Sequence, residues 1–218
     1  MIDVDTNKKV LQLFHQLKRE NISYIIDLVP AYSSLTIYYD LVSLYEHKSA
    51  DITAFEVMAG IVEDFTERTH EAVEVNTRTI EIPVCYTDPF ALDSEALANY
   101  NKISVEELIR IHTASYYRIF MIGFLPGFAY MGQADEKISM PRKEIPRTRV
   151  PAGSVGIAGR QTGVYPLDSP GGWNIIGRTP LVLFDQNQKD PVVLQPGDEI
   201  KFYSITEDEF AHHKSGRA

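Results

Sequence analysis

The sequence contains a single cysteine, Cys85, so it cannot form an internal disulfide bond. One free thiol suits a reducing compartment. No apolar run approaches the roughly 18 to 20 residues that a membrane-spanning helix needs. The polar segment 1–9 also lacks the apolar centre of a signal peptide. These absences predict a cytoplasmic protein without a membrane partner.

Positive charge is also in short supply. The chain has 21 Lys and Arg against 30 Asp and Glu, a formal net charge of −9. Because an acidic surface repels phosphate backbones, we expect no nucleic-acid partner. The length of 218 residues fits one large domain or two small ones.

Several catalytic signatures are missing. The chain has neither the Gly-Lys-Ser/Thr end of a P-loop nor a Gly-x-Ser-x-Gly elbow. No His/Cys cluster has metal-ligand spacing, so no metal is predicted. Acids are scarce where glycines are dense; residues 121–180 contain only Asp135, Glu136, Glu144 and Asp168. Such a region offers binding groups without a convincing nucleophile or base, as expected of a subunit that supplies part of a shared site.

Residue periodicity predicts a small α+β domain over 1–88. Its elements are a helix at 7–19, strands at 22–29 and 34–42, a helix from N-cap Asp51 to about Arg68, and a strand at 77–86. The face of the second helix formed by Phe55, Met58, Ala59 and Val62 is expected to be buried.

Residues 89–218 predict a mainly β, closed or nearly closed barrel. A helix at 94–113, with the capping-box pair Ser104 and Glu107, precedes it. Ten of the thirteen glycines fall between 123 and 177 and punctuate short strands. The strands are expected at 116–123, 155–159, 164–167, 173–177, 181–184 and 199–205. The polar tail after Glu207 is expected to be frayed.

Residues 137–160 invert the charge of the chain, with six Lys or Arg residues against one acid, Glu144. Guanidinium groups form paired hydrogen bonds to carboxylates and phosphates, so this segment predicts an anion site. A solvated loop whose cations pair with acids elsewhere is an equal alternative on charge alone.

Three further features are candidate parts of a site. The segment 123–130 (GFLPGFAY) has a constrained backbone and three aromatics, typical of a rigid apolar wall or, more often, a strand–turn–strand corner. Segment 151–166 places polar side chains among small residues. The only Trp, Trp173, serves either as a core anchor or as a pocket wall. His112 faces the barrel, where it is either an acid, base or ligand orienter, or a hydrogen-bonded core residue.

Four segments together resemble one known family: His112, residues 122–132 (IGFLPGFAYMG), the stretch from PR at 141–142 to RTRVPAGSVGIAG at 147–159, and the stretch from QTGVYP at 161–166 to PGGWNIIGRTP at 170–180. Their order and density are similar to those of the bacterial 5-oxoprolinase B subunits, a family also known as the KipI or allophanate hydrolase subunit 1 family. The strong resemblance covers roughly 110 to 200.

This resemblance implies a cyclophilin-like barrel after the smaller domain. It also implies two partners, a KipA-type C subunit and a third, A-type subunit, with the chain inactive alone. The complex would hydrolyse the lactam 5-oxo-L-proline to L-glutamate with ATP cleavage, since phosphorylation turns the lactam oxygen into a leaving group. Which of the subunits binds ATP stays open. The alternative is a KipI-type inhibitor that docks on a sensor histidine kinase.

The resemblance also implies roles for individual residues. Arg142 and Arg149 would hold a carboxylate or phosphate, and Gln161 and Tyr165 would orient the amide. A pocket wall is expected from Phe124, Phe128 and Trp173, with Pro126 and Ser154 as further binding candidates and His112 as the catalytic candidate. We expect Arg149→Ala to abolish activity of the assembled complex while leaving the fold intact, because loss of an anion partner removes about 2 to 5 kcal/mol of binding.

Overall fold

The computed structural model describes residues 3–46, 52–68 and 77–215, and the chain divides into two compact units, Met1–Asn76 and Thr77–Ala218. In the first unit the elements are α1 (Val4–Glu20), β1 (Ile25–Pro30), β2 (Leu35–Tyr39), α2 (Leu41–Glu46) and α3 (Ala54–Arg68). The helix and two strands predicted between 7 and 42 are present; α2 was not predicted.

Helix α1 carries its own start and stop signals. The Asp3 carboxylate accepts a hydrogen bond from the Thr6 N–H at 2.8 Å, and Asn21 ends the helix in the left-handed conformation. Buried Asn7 donates to the carbonyl of Ala31 at 3.1 Å, which holds the connection between β1 and β2 against the helix. The two strands pair antiparallel.

Helix α3 begins with a reciprocal capping box. Thr53 Oγ1 accepts from the Glu56 N–H at 3.2 Å, and the Glu56 carboxylate accepts from the Thr53 N–H at 2.7 Å. The predicted N-cap, Asp51, lies outside the described residues. The predicted inward face is confirmed at Met58 but wrong at Phe55, which is exposed, because Ala54 turns into the small core of this unit in its place.

The second unit contains nine strands and three α-helices among its described residues. They are β3 (Thr79–Val84), α4 (Ser94–Asn101), α5 (Val105–Ala114), β4 (Tyr116–Ile122), β5 (Ala129–Gly132), a 3-10 helix (Glu136–Ile138), β6 (Arg147–Val150), β7 (Ser154–Ala158), β8 (Gln161–Val164), β9 (Ser169–Gly171), β10 (Asn174–Arg178), β11 (Glu199–Ser204) and α6 (Glu207–Ser215). Strands β6 and β9 pair as a separate two-stranded ribbon. With that ribbon set apart, the other strands form one sheet.

Seven strands form a mixed, nearly closed barrel in the order β10-β7-β8-β5-β4-β11-β3. Only the β11–β3 pairing is parallel. The outer strands meet where Cys85 and Arg178 each donate their N–H to the other's carbonyl at 2.9 Å. This pairing satisfies backbone groups that an open sheet would leave at its edges. The expected barrel-containing α+β fold is therefore confirmed.

The interior of the barrel is apolar and fully buried at Ile82, Ile119, Met131, Ile157 and Phe202. Helices α4 and α5 add side chains to the same core. Ser104 caps α5 as predicted, accepting from the Glu107 N–H at 3.1 Å, while the Glu107 carboxylate binds Arg110 at 2.7 Å. No helix within the described ranges combines the length and the hydropathy that a membrane crossing requires.

Several boundaries differ from the sequence-based ones. The predicted strand at 77–86 is β3, which pairs with β11, so the units divide after Asn76 and not at 88/89. The helix expected at 94–113 is two helices, because Lys102 adopts φ 57° between them. The strand expected at 181–184 reduces to one bridge between Phe184 and Val192.

The tail is also ordered beyond expectation. Residues Glu207–Ser215 form α6, and Phe210 packs on Phe90 with the ring centres 4.5 Å apart. Strands β5, β6 and β9 were not predicted either. All three are only three or four residues long, too short to show an alternating pattern.

The substitution Ile82→Ala tests whether β3 is an integral barrel strand. Ile82 is fully buried, so we expect the free energy of unfolding to fall by about 2 to 5 kcal/mol. Exposed Glu81 on the same strand is the control, and Glu81→Ala should change the free energy of unfolding by less than about 0.5 kcal/mol. Denaturant unfolding followed by Trp173 emission reports on this unit, because Trp173 is the only Trp. Equal effects of the two substitutions would contradict the assignment.

Candidate functional site

A cavity of about 400 Å³ opens in the barrel unit beside the turn between β4 and β5. Five of its twelve lining residues are aromatic and form one wall. Phe128 lies at the centre of that wall, with its ring centre 5.2 Å from that of Tyr165 and 5.4 Å from that of Trp173, both edge to face. The lining residues are Phe124, Leu125, Phe128, Tyr130, Arg142, Pro146, Tyr165, Ser169, Pro170, Gly171, Gly172 and Trp173.

The turn that presents Phe124 is built from two successive tight turns. The Leu125 N–H donates to the Gly123 carbonyl at 2.9 Å, a three-residue turn with Phe124 at φ 70°. The Phe128 N–H then donates to the Leu125 carbonyl at 3.0 Å, with Gly127 at φ 79°. The segment is thus both a strand–turn–strand corner and a cavity wall. Pro126 belongs to the corner and does not line the cavity.

One cation faces the aromatic wall. The guanidinium carbon of Arg142 lies 5.7 Å from the ring centre of Trp173, a cation–π arrangement. Among the described residues Arg142 forms no salt bridge, so its charge is available to a ligand. Burial raises the pKa of Tyr165, although a hydrogen bond with the Trp173 backbone and the charge of Arg142 act in the opposite direction. Tyr165 is therefore a neutral hydroxyl at physiological pH.

Four of the other five cations of the basic segment are engaged elsewhere. Lys143 and Arg147 both bind the buried carboxylate of Asp93, at 2.7 Å each. Arg149 binds Asp168 at 2.7 Å, with most of its side chain exposed. Arg160 donates to the carbonyl of Ala134 at 3.3 Å. Of the two arginines expected to hold an anion, the structure brings only Arg142 to the cavity.

His112 is completely buried in the barrel core. Its Nδ1 lies 2.8 Å from Tyr86 Oη, and its Nε2 lies 3.0 Å from Thr162 Oγ1. Because Thr162 donates its own proton to the Gly156 carbonyl at 3.1 Å, it accepts from Nε2–H, and Tyr86 donates to Nδ1. Burial lowers the pKa of His112 to about 3. This geometry favours the core role that the sequence left open, and the catalytic role stays a prediction.

Two further predicted residues lie outside the cavity lining. Ser154 is buried on β7, and Gln161 begins β8, where it pairs with Gly132 of β5. Conversely, sequence reasoning did not select Tyr130, Pro146 or Ser169, which do line the cavity. Tyr130 belongs to a segment that was singled out, but nothing in one sequence shows which of its aromatic rings turns inward.

Comparison with known proteins shows which family the chain resembles. The model of the carboxyltransferase domain, subdomain C and D, matches residues 1–194. The chain is 46% identical over 190 residues to the 5-oxoprolinase B subunit of Bacillus subtilis (strain 168), an alignment covering 87% of this chain and 79% of that protein. The crystal structure of the conserved uncharacterized protein PH0987 from Pyrococcus horikoshii has 44% identity and a TM-score of 0.59, over 96% of this chain and 92% of that one.

The crystal structure of TTHA0988 superimposes with a TM-score of 0.79 at 31% identity, over 94% of this chain but only 38% of that longer one. The chain therefore belongs to the carboxyltransferase subdomain C and D family. Its resemblance to the 5-oxoprolinase B-subunit branch is confirmed by the identity to a relative of that name.

The buried imidazole of His112 predicts a pH dependence of stability. Its pKa is about 3 in the folded chain and about 6.5 in the unfolded chain, so only the unfolded chain takes up a proton between these values. The stability contribution is therefore full above pH 6.5 and is lost as the pH falls. From pH 6.5 to 4.5, we expect a loss of about 2 kcal/mol.

Denaturant unfolding of the native chain and of His112→Gln over this pH range measures the difference. The variant should show a shallower decline, because Gln does not titrate. Parallel declines in the two proteins would contradict the neutral, buried state of His112.

Proposed function

We propose that this chain is the B subunit of an ATP-dependent 5-oxoprolinase, and that the complex hydrolyses 5-oxo-L-proline to L-glutamate. The observation that carries the proposal is the 46% identity to a protein named as a 5-oxoprolinase B subunit, over 87% of this chain. We further propose that the barrel is cyclophilin-like and that its cavity holds the lactam.

The chemistry of the cavity supports a small anionic ring as its ligand. Phe128 and Trp173 offer flat apolar surfaces for ring methylenes, and Arg142 offers a charge for the carboxylate. The neutral hydroxyl of Tyr165 suits a hydrogen bond to a lactam. A five-membered lactam that carries one carboxylate matches this combination of surfaces.

The same cavity is chemically incomplete for hydrolysis. The described residues that line it include no carboxylate and no imidazole, the side chains that most often activate water. We therefore assign ATP, phosphoryl transfer and water activation to the assembled complex, with a KipA-type C subunit and an A subunit as partners. This division explains why the chain alone is expected to be inactive.

Release of L-glutamate from 5-oxo-L-proline and ATP tests the assignment. The chain is assayed alone, with each partner protein, and with both. We expect activity only in the complete mixture, with ADP formed in step with glutamate. Activity of the chain alone would contradict the subunit role. No glutamate in any mixture, combined with inhibition of a sensor histidine kinase, would replace the proposal with the inhibitor function.

Arg142 and Arg149 form a matched pair for locating the ligand. Arg142→Ala should weaken binding of 5-oxo-L-proline by about 30-fold or more, because removal of the cation that pairs with a bound carboxylate costs about 2 kcal/mol or more. Arg149→Ala should leave binding near the native value, because its side chain pairs with exposed Asp168. Titration monitored by Trp173 emission measures both, since Trp173 lines the cavity. Loss of binding in Arg149→Ala alone would move the site to Arg149, as the sequence predicts.

A further inference from the structure

Asp93 is a buried carboxylate in an unusual position. It stands at the N-cap of α4, where an Asp side chain ordinarily accepts a hydrogen bond from the first turn of the helix. Its carboxylate makes no such bond. Only 3% of the residue is exposed, so the charge is held away from water without the capping interaction that its position would explain.

The carboxylate instead faces the basic segment and strand β10. Arg147 binds it with both terminal nitrogens, at 2.8 and 2.7 Å, and Lys143 Nζ lies 2.7 Å away. The Ile175 N–H donates to it at 2.7 Å, and the Asp93 N–H donates to the Ile175 carbonyl at 2.8 Å. Burial raises the pKa of Asp93, but these hydrogen bonds outweigh it and keep the pKa below the ordinary value.

The partners of Asp93 belong to two segments of the chain that also line the cavity. Arg142 and Pro146 line it from segment 141–147, the segment that also carries Lys143 and Arg147. Gly172 and Trp173 line it from the stretch that leads into Ile175. The segment is tied to this stretch at two more points, where the Lys143 N–H donates to the Gly172 carbonyl at 2.8 Å and Asn174 Nδ2 donates to the Pro141 carbonyl at 2.9 Å.

The geometry points to Asp93 as the positioning residue of the ligand cavity, holding Arg142 over Trp173 through Lys143 and Arg147. It does not touch the ligand. One buried charge holds two segments of the chain together, and the Arg142–Trp173 stack is where they meet on the cavity side. The effect of Asp93 on ligand binding rests on the proposed function, whereas its effect on the stack does not.

Asp198 offers a matched control. It is the other strongly buried Asp among the described residues of the barrel unit, 4% exposed, and it binds Arg78 at 2.6 Å and the Gln195 N–H at 2.8 Å. None of these partners lines the cavity. Asp198→Asn therefore removes a comparable buried charge and leaves segment 141–147 untouched. Any effect specific to Asp93→Asn then reflects position and not general loss of stability.

Quenching of Trp173 emission by acrylamide measures the stack without any ligand. We expect Asp93→Asn to raise the quenching constant, because Arg142 no longer covers the indole, and Asp198→Asn to leave it at the native value. Lys143→Met, which retains Asp93 and Arg147, should give a smaller rise and serves if Asp93→Asn does not fold. Unchanged quenching in the soluble variants, or an equal rise in Asp198→Asn, overturns the inference.

Titration with 5-oxo-L-proline then tests the consequence for binding. Asp93→Asn should weaken binding by about tenfold or more, because displacement of a positioning group by about 1 Å is costly. In the complex the loss should appear mainly in KM. If Asp93→Asn raises quenching but binds 5-oxo-L-proline with native affinity, the role of Asp93 in ligand binding is overturned. If the native chain itself does not bind 5-oxo-L-proline, the proposed function fails, while the quenching comparison still decides the role of Asp93.

Discussion

The structure around the cavity depends on the cost of burying one carboxylate. A charge removed from water destabilises a fold unless cations and N–H groups replace its hydration, and Asp93 receives all of these from a few residues. Because the replacement groups come from segment 141–147 and from the start of β10, satisfying the charge also determines how those two pieces of chain lie. The conformation of segment 141–147 follows from that electrostatic requirement.

The charge inversion at 137–160 has more than one structural cause. From sequence, a ligand site and a set of internal ion pairs were equal alternatives; the ion pairs are present in the structure, and the ligand site stays a proposal. Lys143, Arg147 and Arg149 neutralise acids, whereas Arg142 stacks on Trp173. The distinction was not predictable, because Asp93 and Asp168 both lie outside the segment in sequence, and only the fold shows which cation each acid meets.

The barrel was predictable from its short strands separated by glycines, but the place of β3 in it was not. Parallel pairing of β3 with β11 joins residues more than a hundred positions apart, and no local pattern reports it. The same limit explains the cavity. Phe128 and Trp173 were expected to form a pocket wall, and both line the cavity. Pro146 and Ser169 also line it, but nothing in one sequence singles them out. His112 is of a residue type common in catalysis, yet both of its ring nitrogens are hydrogen-bonded, to Tyr86 and to Thr162.

Phe124 shows why stability alone does not account for this surface. A large side chain at φ 70° strains the backbone, and 63% of this residue is exposed, so little burial offsets the strain. Glycine would occupy the same turn at lower cost. The ring nevertheless lies edge to face against Phe128, 5.7 Å between centres, and extends the aromatic wall to the rim of the cavity. Because this ring costs free energy and gains little packing, its position suits contact with the ligand proposed for the cavity, which has binding surfaces but no carboxylate or imidazole among its described lining residues.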